Sequence, residues 1–221
     1  MGSPLILSHG VEPLMEIVFL QVIGALGFWV GTIFLGRRIR RNATKDAAQK
    51  LSRISHALFW VGLVLPECIG TISPGLTHFD KLLGFPPLPF HGPLETVGWL
   101  ALAAGIYYLV VSNFALKTFG AGFAAFKLTR HVVHVSVYEQ VRNPMSLGTY
   151  LSYIGISLIA GSTYLLLGTL LVVIPVHAFN LWYFEEHELR ARHGVSYETY
   201  QARVPFILPW RKCQSLRKQG S

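Results

Sequence analysis

Five long apolar runs limit what this chain can fold into. A helix needs about 20 mostly apolar residues to cross the hydrocarbon layer of a bilayer, and the runs lie at about Glu16–Leu35, Ile54–Ile72, Thr96–Ala115, Leu147–Gly161 and Tyr164–Phe184. Only 14% of the 221 residues are charged, against about 25% in soluble domains. The sequence therefore predicts an all-α integral membrane helical bundle of about five transmembrane helices, ending in a C-terminal helical hairpin and a cytoplasmic amphipathic tail.

The basic residues are distributed unevenly between the two ends of these helices. With five spans, all of the 19 Lys and Arg residues except Lys81 fall on one side, and cytoplasmic loops carry such an excess. We therefore expect an integral protein of a bacterial inner membrane, with the N-terminus outside and the C-terminus in the cytoplasm. The net charge of +8 does not indicate nucleic-acid binding, because no groove of basic and aromatic residues is visible.

The chain is organised as a single membrane domain, 1–221, without internal repeats. Residues 1–115 hold the first three spans, and residues 116–210 hold a long loop, a helical hairpin and a C-terminal cap. A tight link at Gly161–Thr163 forces the last two spans into an antiparallel pair. The Pro- and Gly-rich stretch 73–93 predicts an irregular outer loop or short lid. Ser196 is expected to cap a short helix that follows Gly194.

Two adjacent acids, Glu185 and Glu186, lie where the fifth span leaves the bilayer. One interpretation is a solvated pair that forms salt bridges with Arg190 and Arg192. However, acids at a helix C-terminus oppose the helix dipole, and these acids interrupt an otherwise basic face. The alternative is a binding site for a cation, such as the ammonium group of an amino acid. The residues alone leave both interpretations open.

Arg142, Asn143 and Pro144 open the fourth span. A proline disfavours helical geometry in the residue before it and is well suited to the first position of a helix. The backbone N–H groups of such a helix start, beside an arginine, can bind an anion. The sequence therefore predicts either a capped helix start in the headgroup layer or an anion site.

Four further polar side chains extend the candidate site. His131 and His134 precede the turn, and no Asp or Glu with metal-ligand spacing lies near them, so no metal site is predicted. His177 and Asn180 lie within the fifth span, where polar groups usually face the bundle interior. They are either structural hydrogen-bonding groups or pocket residues. Together these features fit a site at the cytoplasmic membrane face for a zwitterionic amino-acid moiety joined to a flat chemical group.

The order of the motifs from about Lys127 to Trp210 resembles the isoprenylcysteine carboxyl methyltransferase and phospholipid methyltransferase superfamily. The motif R-N-P-M-x-x-G precedes a hairpin, which is followed by E-E-x-x-L, Y-x-x-Y and V-P-x-x-x-P. The matching residues are Arg142, Asn143, Pro144, Met145, Gly148, Glu185, Glu186, Leu189, Gly194, Tyr197, Tyr200, Val204, Pro205 and Pro209. The resemblance implies an integral-membrane enzyme whose cofactor, S-adenosylmethionine, is bound at the cytoplasmic side by the loop, the last helices and the C-terminal segment.

The resemblance also implies roles for individual residues. The residues expected to bind the cofactor are His131, Val132, Val133, His134, Tyr138, Arg142, Asn143, Pro144, Met145, Ser146, Glu185 and Glu186. Beyond what the resemblance implies, no catalytic residue is assigned, with Arg142, Glu186 and His134 as candidates, and the candidates for the substrate pocket are His177, Asn180, Tyr197 and Arg203. The chain departs from the family pattern where Asn143 replaces the common His and Ser146 the common Tyr. It also lacks the arginine that the isoprenylcysteine branch carries shortly before the acid pair.

We therefore expect an S-adenosylmethionine-dependent methyltransferase that acts on a lipophilic acceptor, such as a prenylcysteine-type carboxylate or a lipid amine, at the cytoplasmic membrane face. Its expected partners are the lipid bilayer and this substrate, and neither nucleic acid nor a metal ion. Two alternatives remain open. One is an NADPH-dependent membrane reductase of the sterol C14 type, which shares a similar C-terminal hairpin but is expected to present more basic residues. The other is a non-catalytic member of the superfamily that binds lipid or a protein partner.

Overall fold

The computed structural model describes residues 8–72, 77–89, 91–120 and 131–209, and every regular element in these ranges is helical. The helices are α1 (Ser8–Arg41), α2 (Lys45–Phe59), α3 (Leu65–Ile72), α4 (His78–Leu83), α5 (His91–Phe119), α6 (Val137–Gln140), α7 (Pro144–Ala160), α8 (Thr163–Gly168), α9 (Ile174–Asn180), α10 (Glu186–His193) and α11 (Val195–Arg203). Three π turns join helices end to end: Trp60–Val64, Thr169–Val173 and Leu181–Glu185. Residues 45–72 and 163–193 are therefore two continuous helical rods.

Three helical segments are long and apolar enough to cross a membrane: Met15–Arg41, Gly92–Phe119 and Thr163–His193. The shorter helix Pro144–Ala160 is apolar as well. Large apolar side chains on these helices point outward, for example Leu100, Phe114 and Leu171, which are 67–69% exposed. The all-α membrane fold is confirmed by these features, and the count of five spans stays a prediction.

Helices α5 and α7 form the closest helix pair of the bundle. Their backbones touch at two levels, where Gly105 faces Gly148 and Gly98 faces Gly155. A Cβ atom on Gly148 would lie 2.8 Å from the carbonyl oxygen of Gly105, and one on Gly155 would lie 2.7 Å from that of Gly98. Small residues allow such close approach, and van der Waals packing then holds membrane helices together. This pair positions the start of α7, which forms one wall of the site described below.

Helix α1 packs against both rods, along α2, the first π turn and α3 on one side and along α9 and α10 on the other. Buried hydrogen bonds connect the three elements, because the Asn180 amide donates to Thr32 Oγ1 (2.8 Å) and to Ser55 Oγ (3.2 Å). An unpaired amide in an apolar interior is costly. These bonds therefore fix the rods relative to each other and give Asn180 a structural role.

The loop between α3 and α5 contains more regular structure than the sequence predicts. Its described part includes α4, which ends at Gly84 with φ of 69°. The buried carboxylate of Asp80 accepts hydrogen bonds from Ser162 Oγ (2.5 Å) and from the backbone N–H of Tyr164 (2.8 Å). The loop thus holds the connection between α7 and α8, rather than lying over it as a lid. Sequence patterns missed this contact because it joins residues about 80 positions apart.

The C-terminal half follows the predicted helix ends closely. Helix α7 ends at Gly161, whose φ of 65° only glycine adopts readily, and α10 ends at Gly194. The predicted cap at Ser196 is wrong, because α11 begins at Val195 and Ser196 lies within the helix, while Gly194 precedes it without a side-chain cap. The loop residues 121–130 and the basic tail after Pro209, including Trp210, lie outside the described residues.

Candidate functional site

A cavity of about 480 Å³ lies between the two helical rods (residues 45–72 and 163–193), helices α5 and α7, and the segments that precede α7 and follow α10. It is lined by α2, the first π turn, α5, the segment 131–138, the start of α7, the face of α9 and α10, and α11. Its volume falls within the range of about 300–1,000 Å³ that is typical of small-molecule sites.

The start of α7 forms one wall of this cavity. Asn143 has non-helical backbone angles (φ −120°, ψ 59°), and Pro144 occupies the first position of the helix. The backbone N–H of Leu147 bonds to the carbonyl of Asn143 (3.0 Å), so the earlier N–H groups of Met145 and Ser146 have no partner inside the helix. Asn143, Met145 and Ser146 all line the cavity. This geometry is suited to binding an anion.

Arg142 connects this turn to the C-terminal segment. Its Nη1 donates to the carbonyl oxygens of Gln201 (3.0 Å) and Val204 (2.7 Å), and its Nη2 donates to Glu186 Oε1. Its backbone N–H bonds to the carbonyl of Pro205 (2.9 Å). Both terminal nitrogens of the guanidinium are therefore occupied within the protein. The arginine holds the wall of the cavity together, and its charge is balanced by Glu186.

Glu186 lies outside the cavity lining. Its side chain is 6% exposed and accepts hydrogen bonds from Arg142 and from Gln201 Nε2 (2.7 Å). Arg190 lies at 4.0 Å and is 38% exposed. Adjacent residues of a helix are separated by about 100° around its axis, so the two glutamates of the pair point in different directions. The predicted roles of Glu186 in catalysis and cofactor binding would require this arrangement to change.

Glu185 faces the cavity, with Arg192 and His56 as its neighbouring charges, and among the described residues no direct hydrogen bond or salt bridge to its carboxylate is seen. Glu188, one helical turn further, also lines the cavity and accepts from Arg192 Nη1 (2.9 Å). The charge of Glu188 is therefore balanced inside the protein. Glu185 is the acid whose position leaves it available to a cationic ligand.

Three tyrosines form an aromatic part of the wall. Tyr138, Tyr197 and Tyr200 line the cavity, and the Tyr200 hydroxyl donates to the carbonyl oxygen of Tyr138 (2.8 Å). Burial is the main cause that raises the pKa of each phenol well above its usual value. All three therefore remain neutral at physiological pH and offer flat, polarisable surfaces with hydroxyl groups.

The other end of the cavity is more apolar and contains one buried imidazole. The His177 ring is stacked on Phe59, with 4.5 Å between ring centroids, and its Nδ1 lies 3.1 Å from the Tyr150 hydroxyl. Trp60 and Val64 from the first π turn and Leu109 from α5 complete this end. The cavity therefore has a polar end at Glu185 and an apolar end at His177.

Most residues predicted from the sequence come together in this cavity. Those that line it are His131, Val132, Val133, Tyr138, Arg142, Asn143, Pro144, Met145, Ser146, Glu185, His177, Asn180 and Tyr197. Outside the lining are Glu186, the exposed His134, which bonds through Nδ1 to the Val132 carbonyl oxygen (3.3 Å), and the exposed Arg203. The segment 131–134 is not helical, so the two histidines do not share a helix face.

Sequence reasoning missed several polar residues of the lining. They are Ser52, Ser55 and His56 on α2, Asn113 on α5, Tyr153 on α7, and Glu188, Arg192 and His193 on α10. A helical repeat of three to four residues connects them with the predicted ones: 52, 55, 56 and 59 on one rod, and 177, 181, 185, 188 and 192 on the other. This periodicity was the available signal. Within the described residues no group of three or more His, Cys, Asp and Glu side chains is placed to hold a metal ion.

Comparison with known families gives one finding. Residues 94–194 match the family model PEMT, described as phospholipid methyltransferase. The matched range begins in α5, contains α7 to α10 and ends at Gly194, so it includes most of the cavity wall. Searches of curated proteins and of solved structures gave no significant match.

Proposed function

Because residues 94–194 make the chain a member of the isoprenylcysteine and phospholipid methyltransferase superfamily, we propose that it transfers a methyl group from S-adenosylmethionine to a lipophilic acceptor at the cytoplasmic face of a membrane. The family supports an integral-membrane methyltransferase. The observation that carries the proposal is the position of Glu185, whose carboxylate faces the same cavity as the N-terminus of α7 and is not hydrogen-bonded within the described residues.

The donor groups of the polar end fit the cofactor. Glu185 would hold the ammonium of its amino-acid moiety, and the N–H groups of Met145 and Ser146 would hold the carboxylate. Tyr138, Tyr197 and Tyr200 provide rings against which the flat base and the sulfonium can pack. Although Ser146 lacks the ring that is common at this position in the family, these tyrosines supply aromatic surface from other elements.

When bound, the cofactor supplies an activated methyl group on a good leaving group. The protein therefore has to align the acceptor with that methyl group and to exclude water. Arg142 contributes by positioning, since its guanidinium ties the α7 turn to α10 and to the C-terminal segment. Glu186 contributes indirectly by holding Arg142.

A gap between helices gives the acceptor a route from the bilayer. In the described part of the chain, α5 packs extensively against α7, whereas α2 and its π turn pack against α1 and α10. No extensive contact joins α5 to the α2–α3 rod in these residues, although both line the cavity. Trp60 and Val64 on one side and Leu109 on the other give this route an apolar surface.

The distribution of charge supports a cytoplasmic site. The polar end of the cavity lies beside the buried cluster of Leu35, Ile39, Ala48 and Phe184. This cluster is at the end of α1 that carries the exposed side chains Arg37, Arg38, Arg40 and Arg41. Basic residues concentrate on the cytoplasmic side of membrane proteins, so a polar cofactor would reach Glu185 from the cytoplasm.

Calorimetric titration of the purified protein in detergent tests this function. The wild type is titrated with S-adenosylmethionine, S-adenosylhomocysteine and NADPH, and then compared with Glu185→Gln and with the exposed control Glu198→Gln. We expect the two sulfur compounds to bind, and Glu185→Gln to lose at least about 10-fold in affinity, because a hydrogen bond to a charged group contributes about 1.5–3 kcal/mol. The control should bind as the wild type does.

The other outcomes separate the alternatives. Binding of NADPH alone would support the alternative hypothesis of a membrane reductase. Well-folded protein that binds none of the three ligands would refute the methyltransferase proposal and favour a non-catalytic member. Unchanged affinity in Glu185→Gln would refute the assignment of that carboxylate.

A further inference from the structure

His177 is held in one orientation at the apolar end of the cavity. Its ring is buried, 9% exposed, and stacked on Phe59 with an interplanar angle of 25°. The Tyr150 ring meets it edge-on at 87°, and the Tyr150 hydroxyl lies 3.1 Å from its Nδ1. Two neighbours thus fix the ring and occupy one of its nitrogens. Nε2 is the nitrogen that remains for a molecule in the cavity.

The partner of Nδ1 decides what Nε2 can do. When the Tyr150 oxygen accepts a hydrogen bond from Nδ1–H, the neutral ring carries a lone pair on Nε2 and can accept a proton there. The imidazolium that forms keeps the same hydrogen bond. An imidazole oriented by a second group on its other nitrogen is a common arrangement for a general base.

The cations of the cavity argue against a carboxylate acceptor. Among the described residues, the Lys and Arg side chains that line the cavity are Arg142 and Arg192. Each forms a salt bridge with a buried glutamate, Arg142 with Glu186 and Arg192 with Glu188 (2.9 Å). The positive charge of the site is therefore already balanced by the protein. A carboxylate beside His177 would meet the imidazoles of His177 and His56, a phenol and hydrocarbon, and the two guanidinium groups of the lining are already paired with glutamates.

The position of His177 separates it from the cofactor end. It precedes Glu185 by eight residues on the same face of the rod, a rise of about 12 Å. Its neighbours in the lining include Phe59, Trp60 and Val64. A molecule that reaches Nε2 therefore has an apolar body and presents its nucleophile towards the polar end.

We infer that His177, oriented by Tyr150, is the catalytic proton acceptor for methyl transfer, and that the acceptor is an apolar amine or phenol rather than a carboxylic acid. This inference rests on the proposed methyltransferase function. A lone pair of the acceptor N or O forms the new bond to the methyl carbon, and the bond between that carbon and the sulfonium sulfur breaks, its electron pair remaining on sulfur. The N–H or O–H proton of the acceptor passes to His177 Nε2 and then to solvent.

The first test examines the ring itself, without turnover. In protein labelled with ¹⁵N-histidine, the spectra of wild type and His177→Gln identify the His177 signals. We expect Nδ1 to be protonated and Nε2 to be unprotonated at neutral pH, and Tyr150→Phe to disturb this tautomer. A proton found on Nε2 in the wild type would overturn the assignment.

The second test measures methyl transfer from ³H-methyl-labelled S-adenosylmethionine to three probes with the same chain: dodecylamine, 4-dodecylphenol and dodecanoic acid. We expect transfer to the amine or the phenol, and a fall of about 100-fold or more in His177→Gln, while S-adenosylmethionine binds the variant as it binds the wild type. The exposed control His78→Gln should behave as the wild type does.

The amine and phenol arms identify which nucleophile the site takes. Methylation of dodecanoic acid alone, or full activity of folded His177→Gln, would overturn the inference while leaving the methyltransferase function intact. Failure of the wild type to bind S-adenosylmethionine at all would instead refute the proposed function. The two failures are therefore distinguishable by the binding measurement.

Discussion

Replacing Glu185 and replacing its neighbour Glu186 are predicted to have different effects. Glu186→Gln should destabilise the fold, whereas Glu185→Gln should leave the fold intact and weaken the binding of S-adenosylmethionine. The reason is their orientation: Glu186 is bound by Arg142 and Gln201, while Glu185 faces the cavity. The comparison tests the geometry of the site with two substitutions that are chemically identical.

The magnitude for Glu186→Gln follows from its burial and its partners. Removal of one partner from a buried ion pair typically costs about 3–5 kcal/mol, because the other charge is left uncompensated. Glutamine keeps the volume and one acceptor oxygen, so we expect the lower end, about 3 kcal/mol. Arg190 contributes little, since it is 38% exposed and lies at 4.0 Å, and exposed pairs are worth about 0–1 kcal/mol.

Equilibrium unfolding in mixed micelles, driven by an increasing fraction of sodium dodecyl sulfate, measures this difference. Glu185→Gln and the exposed Glu198→Gln are the matched controls and should unfold within about 0.5 kcal/mol of the wild type. A double variant, Arg142→Met with Glu186→Leu, should recover part of the loss, because it removes both buried charges together.

A specific result would refute this reasoning. If Glu186→Gln unfolds as the wild type does but no longer binds S-adenosylmethionine, then Glu186 contacts the cofactor directly. The ion pair with Arg142 would then open when the ligand binds, and the catalytic and binding roles suggested by the sequence would be restored to Glu186.

Two further substitutions test the packing that positions the site, each by the same unfolding measurement. Asp80→Ala should lower the free energy of unfolding by about 3 kcal/mol, because the buried carboxylate accepts hydrogen bonds from Tyr164 N–H and from a hydroxyl in the same connection. A loss below about 1 kcal/mol would show that the outer loop does not hold the hairpin. Gly148→Ala should cost about 1–3 kcal/mol, since its Cβ would lie 2.8 Å from the Gly105 carbonyl oxygen, whereas the control Gly168→Ala meets no atom within 4 Å and should be neutral or stabilising.

The local features of the fold could be predicted from the sequence because they depend on the chemistry of single residues. Pro144 begins α7 since it needs no backbone hydrogen bond there, and Gly161 ends it because glycine adopts positive φ without strain. Ser196 was assigned wrongly as a cap for a related reason. Serine is a frequent helix cap, but Gly194 already turned the chain and the helix could begin at Val195.

The site could be predicted as a region and only partly as a set of residues. The turn at Asn143 and the carboxylate of Glu185 were found through motifs of adjacent residues, and both line the cavity. Glu188 and His56 were missed because Glu188 occupies a variable position of E-E-x-x-L and His56 lies outside the motifs, so only the helical repeat brings them onto the cavity face. Arg203 was predicted to line the substrate pocket, yet it is exposed on α11 and lies outside the cavity lining.

The sequence by itself determined that the chain forms apolar helices, where those of the C-terminal half begin and end, and which superfamily it resembles, because hydropathy, turn chemistry and motif spacing are local properties. Only the tertiary structure decided which charges pair, and that Glu185 faces the cavity while Glu186 binds Arg142. Arg142 meets Glu186 across 44 positions, and His177 meets Tyr150 across 27. Such contacts depend on the rotation of each helix about its axis, and that rotation is set by packing against neighbours far away in the sequence.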